Sequence, residues 1–188
     1  MDIATTDIDG LLIVTPTRFG DDRGWFAESW NPRKLPAPLA DIAFVQDNQS
    51  RSHAKFTVRG LHFQAPPRAQ DKLVQCLHGA ILDVAVDIRR GSPTYGRHVA
   101  IELSAENGRQ LFVPKGFLHG FMTLTEDTLV GYKVSDFYDA ELDASVHFAS
   151  RSLGIDWPAG VGDATVSAKD SQGADFSEFN SPFTIVGE

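Results

Sequence analysis

The run Leu82-Asp83-Val84-Ala85-Val86-Asp87-Ile88 decides the fold class. Leu82, Val84, Val86 and Ile88 alternate with Asp83, Ala85 and Asp87. A period of two sends neighbouring side chains to opposite faces of a sheet, whereas a helix repeats its apolar positions every three to four residues. The same alternation returns where Val99, Ile101 and Leu103 interleave with His98, Ala100 and Glu102. Turn signals separate these runs: Gly91-Ser92-Pro93-Thr94-Tyr95-Gly96, Glu106-Asn107-Gly108 and Pro114-Lys115-Gly116. The Asn107-Gly108 pair predicts a hairpin, because both residues tolerate positive φ. Helical periodicity is poor. Asn31-Pro32-Arg33-Lys34-Leu35 is expected to form one turn before Pro36 and Pro38 stop it. Many short strands with regular turns predict an all-β sandwich or barrel with short peripheral helices. Alternation alone does not choose between a jelly roll and another barrel.

The chain has 188 residues, which predicts a single domain over 1–188 with enough length to bury a sizeable core. Residues 159–188 are rich in Gly, Ser, Ala and Asp and read as a less regular, loosely packed extension anchored by Phe176, Phe179 and Phe183. The formal charge of −8 disfavours nucleic acid as a partner, since that needs clustered positive surface. No apolar run approaches the ~20 residues that span a bilayer. The first residues carry no charged-then-apolar signal pattern, so a cytoplasmic protein is expected. Cys76 is the one cysteine, which rules out an internal disulfide framework. It sits in the apolar run Leu73-Val74-Gln75-Cys76-Leu77 and reads as a buried, inert thiol.

Chemistry-bearing residues fall in an ordered set. Arg59-Gly60-Leu61-His62-Phe63-Gln64 is followed by Gln70-Asp71-Lys72-Leu73-Val74, then by Val113-Pro114-Lys115-Gly116-Phe117-Leu118-His119-Gly120-Phe121, Tyr132-Lys133 and Lys169-Asp170. The set offers a base, cations for an anionic substrate and a phenolic acid. From about Phe19 to Asp170 it resembles the dTDP-4-dehydrorhamnose 3,5-epimerase family, which works without a cofactor. The spacing of Gly108, Pro114, Gly116 and His119 also resembles the second motif of the cupin superfamily. Both resemblances imply a double-stranded β-helix jelly roll. Metal-binding cupins add a His-x-His pair, and none of the six histidines here forms one, so no metal is expected.

The resemblance implies that a dTDP-4-keto-6-deoxyhexose is epimerised at C3 and C5. The C4 ketone acidifies both positions, and loss of either proton gives an enolate. His62 is then the base and Asp170, of Ser167-Ala168-Lys169-Asp170, its orienting partner. Tyr132 is the acid, and Lys72 stabilises the enolate oxygen. Arg23, Arg59 and Lys169 match positions near the diphosphate, where forked guanidinium donors suit phosphate. Phe19 and Phe26 match substrate-binding positions, Glu28, Gln46, Asp47 and Asn48 match nucleotide-contacting ones, Tyr138 matches an aromatic that stacks on the base, and His119 lines the sugar pocket. In the family, Arg23 and Glu28 reach the site from the neighbouring subunit, so a homodimer with shared sites is implied. Asp143 stands where the family commonly has Glu, and its side chain is one methylene shorter. Three rival readings are an epimerase acting on one carbon only, a metal-dependent cupin enzyme, and a non-catalytic sugar-nucleotide-binding module. Retention of His62, Lys72 and Tyr132 disfavours the last, because binding alone needs no acid–base pair.

Overall fold

The structure, a computed structural model, describes residues 1–185. Its strands are β1 (Asp2–Thr5), β2 (Leu12–Thr15), β3 (Arg18–Asp21), β4 (Gly24–Ala27), β5 (Gln46–Ser52), β6 (Val58–Gln64), β7 (Lys72–His78), β8 (Ala80–Asp87), β9 (His98–Ser104), β10 (Gln110–Val113), β11 (Phe117–Thr123), β12 (Thr128–Val134) and β13 (Asp143–Ser145). They form a six-stranded sheet, β1-β2-β10-β7-β12-β5, and a five-stranded sheet, β13-β6-β11-β8-β9. β3 and β4 make a separate two-stranded ribbon. From β5 to β12 the chain passes repeatedly from one sheet to the other, which is the winding of a jelly roll. The Asn31–Leu35 turn forms as a 3₁₀ turn at Pro32–Lys34, with the Asn31 side chain accepting from the Arg33 N–H. No helix among the described residues is long and apolar enough to cross a membrane.

Three apolar clusters hold the layers. Between the sheets, Val74, Cys76, Leu111, Val113 and Val130 of one meet Ile81, Ala85, Leu103, Phe117 and Phe121 of the other. Cys76 is buried there, and desolvation pushes its thiol up to about 11, which keeps it protonated. Outside the six-stranded sheet, Leu73 and Phe112 pack under Trp30, Leu35, Leu39 and Phe44. Outside the five-stranded sheet, Val84, Val86, Ile88, Leu61 and Phe63 pack under the chain's C-terminal part. Phe176, Phe179 and Phe183 belong to this cluster, and Phe63 meets Phe179 and Phe183 edge-on at 5.4 and 6.0 Å. Isolated bridges Thr57–Thr165, Val146–Ala174 and Arg90–Thr184 stitch the extension to the body. The described part of the extension contains only short 3₁₀ turns and isolated bridges, and its phenylalanines pack it closely against the body.

Two further expectations change. The Asn107-Gly108 turn does not close a hairpin. Gly108 has φ +64 and Asn107 caps the turn, but β9 belongs to the five-stranded sheet and β10 to the six-stranded one. Turn chemistry sets the local reversal; the facing apolar surfaces choose the partner strand. The paired strands β8 and β9 are joined instead by the longer Gly91–Gly96 loop, pinned by the buried Asp87 carboxylate to Arg89, Ser92 and Thr94. Val84 and Val86 of β8, with Ile88 just past its end, face the extension, while Asp83 and Ala85 face the space between the sheets. Both faces are buried, so alternation there separates two cores rather than core from solvent.

Candidate active site

The site lies between the two sheets at one end. β6 and β11 are antiparallel neighbours with His62 opposite His119. Strict alternation along β6 would send Arg59 outward with Leu61 and Phe63. The register shifts instead between His119 and Phe121, opposite Gly60, and this bulge turns Arg59 back to the His62 side. The bulge needs glycine on both strands. A Cβ on Gly60, whose φ is +124, would lie 2.6 Å from the Gly120 Cα, and a Cβ on Gly120 would lie 2.7 Å from the Arg59 carbonyl oxygen.

His62 Nε2 lies 2.6 Å from Asp170 Oδ1. Asp170 comes from the C-terminal extension and is 4% exposed. Its other oxygen faces the Gly60 N–H at 3.4 Å, and its own N–H donates to Ser167 Oγ at 3.1 Å. Burial pushes the Asp170 carboxyl up, but bonds from His62, the Gly60 N–H and Ser167 outweigh it and hold the group below the usual carboxylate range. An ionised carboxylate thus fixes one ring nitrogen and leaves the other edge of the ring to the cavity.

Across the gap, on the other sheet, stand Lys72 of β7 and Tyr132 of β12, adjacent strands in register Tyr132–Val74 and Val134–Lys72. His62, Lys72, Tyr132, His119, Arg59, Lys169 and Asp170 line one cavity of about 470 Å³. Burial pulls the Lys72 ammonium down to about 8, against Asp143 and Asp83, which favour the cation. It is still mostly charged at neutral pH. Burial pushes the Tyr132 phenol up, as does Asp143, while Arg59 opposes them. The phenol therefore keeps its proton and could donate it to a bound molecule. Arg59 is braced by Ser52 Oγ and the Arg51 carbonyl, both at 3.2 Å.

A second cavity, about 280 Å³, shares His62, Lys72 and Tyr132 with the first and is lined further by Gln46, Asn48, Tyr138 and Asp143. The Asp143 carboxylate accepts from Lys169 Nζ and from Tyr138 Oη, the latter at 3.1 Å. The shorter aspartate therefore still reaches both partners.

Other expected residues lie elsewhere in the subunit. Asp47 is on the outer face of β5, bonded to Lys133 Nζ at 3.0 Å, because alternation sends it opposite to Gln46 and Asn48. It lines neither cavity. Phe19, Arg23 and Phe26 sit on the β3–β4 ribbon, with Phe19 61% and Phe26 67% exposed. Arg23 pairs with Asp21, and Glu28 with Lys34 and Asn31. None of these four lines either of the two cavities. Sequence reasoning missed Asp83. It is fully buried with Oδ1 2.8 Å from His119 Nε2, leaving Oδ2 without a protein partner. A carboxylate inside the apolar run Leu82–Ile88 was the available signal, since such groups are buried only with partners. Among the described residues, no three His, Cys, Asp or Glu side chains converge as metal ligands.

Known proteins resemble this chain in sequence and in overall fold. The family profile described as dTDP-4-dehydrorhamnose 3,5-epimerase matches residues 5–178. The dTDP-4-dehydrorhamnose 3,5-epimerase of Sinorhizobium fredii is 48% identical over 176 residues, covering 94% of this chain and 90% of that protein. The crystal structure of the enzyme of that name from Elizabethkingia anophelis superposes with a TM-score of 0.89 at 42% identity, covering 96% of this chain and 99% of that one. The dTDP-6-deoxy-D-glucose-3,5-epimerase of Legionella pneumophila, solved in complex with dTDP-4-keto-L-rhamnose, does so with a TM-score of 0.89 at 43% identity, covering 95% and 94%.

Proposed function

The chain belongs to the dTDP-4-dehydrorhamnose 3,5-epimerase family, and we propose that it inverts C3 and C5 of dTDP-4-keto-6-deoxy-D-glucose through acid–base groups on its two facing sheets. The product is dTDP-4-keto-L-rhamnose. The observation that carries this reading is the His62–Asp170 dyad on one side of the cavity with Tyr132 and Lys72 on the other.

The sugar sits between them with its C4 oxygen at Lys72. His62 takes the proton from C3 or C5, and the C–H electron pair moves into the enolate. Asp170 stabilises the imidazolium as it forms. The Lys72 ammonium opposes the charge growing on the C4 oxygen. Tyr132 returns a proton to the same carbon from the opposite face, which inverts it; the tyrosinate and imidazolium then re-equilibrate with solvent. Each proton transfer by a placed group is worth about 10²–10⁴-fold. Arg59 and Lys169 take the diphosphate, while Gln46, Asn48 and Tyr138 take the nucleoside. The exposed β3–β4 ribbon reaches the nucleotide of a second copy, bringing Phe19, Arg23, Phe26 and Glu28 to a shared site in a homodimer. Two exposed phenylalanines on a ribbon that lines neither cavity of its own subunit support that reading.

The test is turnover of dTDP-4-keto-6-deoxyglucose in D₂O, followed by NMR. Deuterium at both C3 and C5 of the L-rhamno product is expected. Label at one carbon assigns a restricted epimerase, and no label overturns the proposal.

A further inference from the structure

Three glutamines converge on one turn. After β12 the chain runs Asp136-Phe137-Tyr138-Asp139. Gln70 Nε2 donates to the Asp136 carbonyl at 2.9 Å, and Gln64 Nε2 to the Phe137 carbonyl at 3.0 Å. The Tyr138 N–H donates to Gln46 Oε1 at 3.2 Å, and the Asp139 N–H to Gln64 Oε1 at 2.9 Å. Four consecutive residues are thus held through their backbones by side chains from separate segments. Gln64 makes two of these four contacts, and Gln46 and Gln70 make one each. Gln64 is 4% exposed, uses both ends of its amide on the turn, and its nitrogen also reaches the Arg68 carbonyl. A planar group with a donor at one end and an acceptor at the other suits that task. Ionised Glu has no donor, and Leu has neither.

Beyond the glutamines, Tyr138 Oη donates to Asp143 at 3.1 Å and Arg68 lies 3.8 and 3.6 Å from the Asp136 and Asp139 carboxylates, contacts that hold side chains rather than the backbone of the turn. Phe137 and Tyr138 are 56% and 57% exposed, so apolar burial does not fix the Tyr138 ring. Gln64 stands two residues after His62 on β6 and lines the same second cavity. We propose that Gln64 is a positioning residue: it ties the Tyr138 turn to the strand carrying His62, and so sets how tightly the nucleoside end of the substrate is held without entering the chemistry. This rests on the reading of Tyr138 as the base-facing aromatic.

The test compares Gln64→Glu, Tyr138→Leu and the double variant for kcat, KM and inhibition by dTDP and by inorganic pyrophosphate. Gln64→Glu keeps the shape but turns an oxygen towards two carbonyls. Its KM and its dTDP inhibition constant should both rise about 10-fold, the scale of one or two lost hydrogen bonds, with kcat within about 2-fold. Inhibition by pyrophosphate, which lacks a base, should not move. The double variant should be no weaker than Tyr138→Leu alone, since both changes spoil one contact. Wild-type dTDP inhibition in Gln64→Glu overturns the proposal. So does a loss of kcat at unchanged KM, or an additive double variant, which would mean that Gln64 touches substrate itself. If Tyr138→Leu leaves dTDP inhibition unchanged, the base-facing reading fails and takes this proposal with it. A Tyr138→Leu defect without a Gln64→Glu defect removes the Gln64 role alone. Should Gln64→Glu not fold, Gln64→Met carries the same comparison, because it removes both bonds without burying a charge.

Discussion

In Lys72→Met an uncharged side chain of similar reach replaces an ammonium that the fold holds against its preference. Lys72 falls from the ordinary 10.5 to about 8 because burial strips its water, with Asp143 and Asp83 returning only part of the loss. A shift of that size corresponds to about 3 kcal/mol of penalty on the charged form. The ammonium head lines an open cavity, and water there screens part of this, so about 1–2 kcal/mol should appear in unfolding. The folded pKa lies below the unfolded one, so the unfolded chain binds more protons between pH 8 and 10.5. Wild-type stability therefore gains as pH rises through that window, and below pH 8 the whole penalty is present. Urea unfolding, followed by fluorescence of the half-buried Trp30 and Trp157, should show Lys72→Met more stable than wild type at pH 7 and less so at pH 10. Asp143 and Asp83 keep Lys169 and His119 as partners, so the substitution strands neither carboxylate. Turnover should fall about 10²–10³-fold, the usual scale for losing an oxyanion stabiliser. In wild type it should fade as pH rises through about 8, where the cation is lost. A variant destabilised equally at both pH values would show that the ammonium is not desolvated. Near-normal turnover would remove Lys72 from the enolate.

Asp170→Asn should lower kcat about 10- to 100-fold in a stopped assay with little change in KM, because a buried bond to a charged partner is worth about 1.5–3 kcal/mol; unchanged kcat would mean that another group orients His62. Dialysis against a strong chelator should leave turnover intact, and activity restored only by a divalent metal would favour a metal-dependent enzyme. Mixing inactive Arg23→Ala with inactive His62→Asn subunits should regenerate activity if sites are shared between copies. No recovery after verified subunit exchange would place both residues in one subunit's site.

Alternation in β8 and β9 was legible because a period of two is a local property. The central motifs were legible because they are contiguous and sit on strands that face one cavity. The β6 bulge was not. Which residue a bulge skips depends on the close approach of Gly60 to Gly120, residues sixty positions apart in the sequence but adjacent in the sheet. Asp83 was hidden for a related reason: its sequence neighbours are apolar, and its partner His119 comes from the next strand. In Gln46-Asp47-Asn48 one contiguous motif is split by the pleat, which sends Asp47 outward to Lys133. The Asn107-Gly108 turn shows the converse limit, since a correct reversal can join strands of different sheets.

The central claim is two-faced proton transfer, and deuterium exchange in acid–base variants tests it most directly. With dTDP-4-keto-6-deoxyglucose in D₂O, Tyr132→Phe should still wash deuterium into C3 or C5 of unreacted substrate, because His62 can remove a proton and return a deuteron on its own face. Inverted product should fall about 10²–10⁴-fold. His62→Asn should abolish both exchange and inversion. Exchange that survives in His62→Asn but vanishes in Tyr132→Phe would contradict the account and reverse the assignment of base and acid.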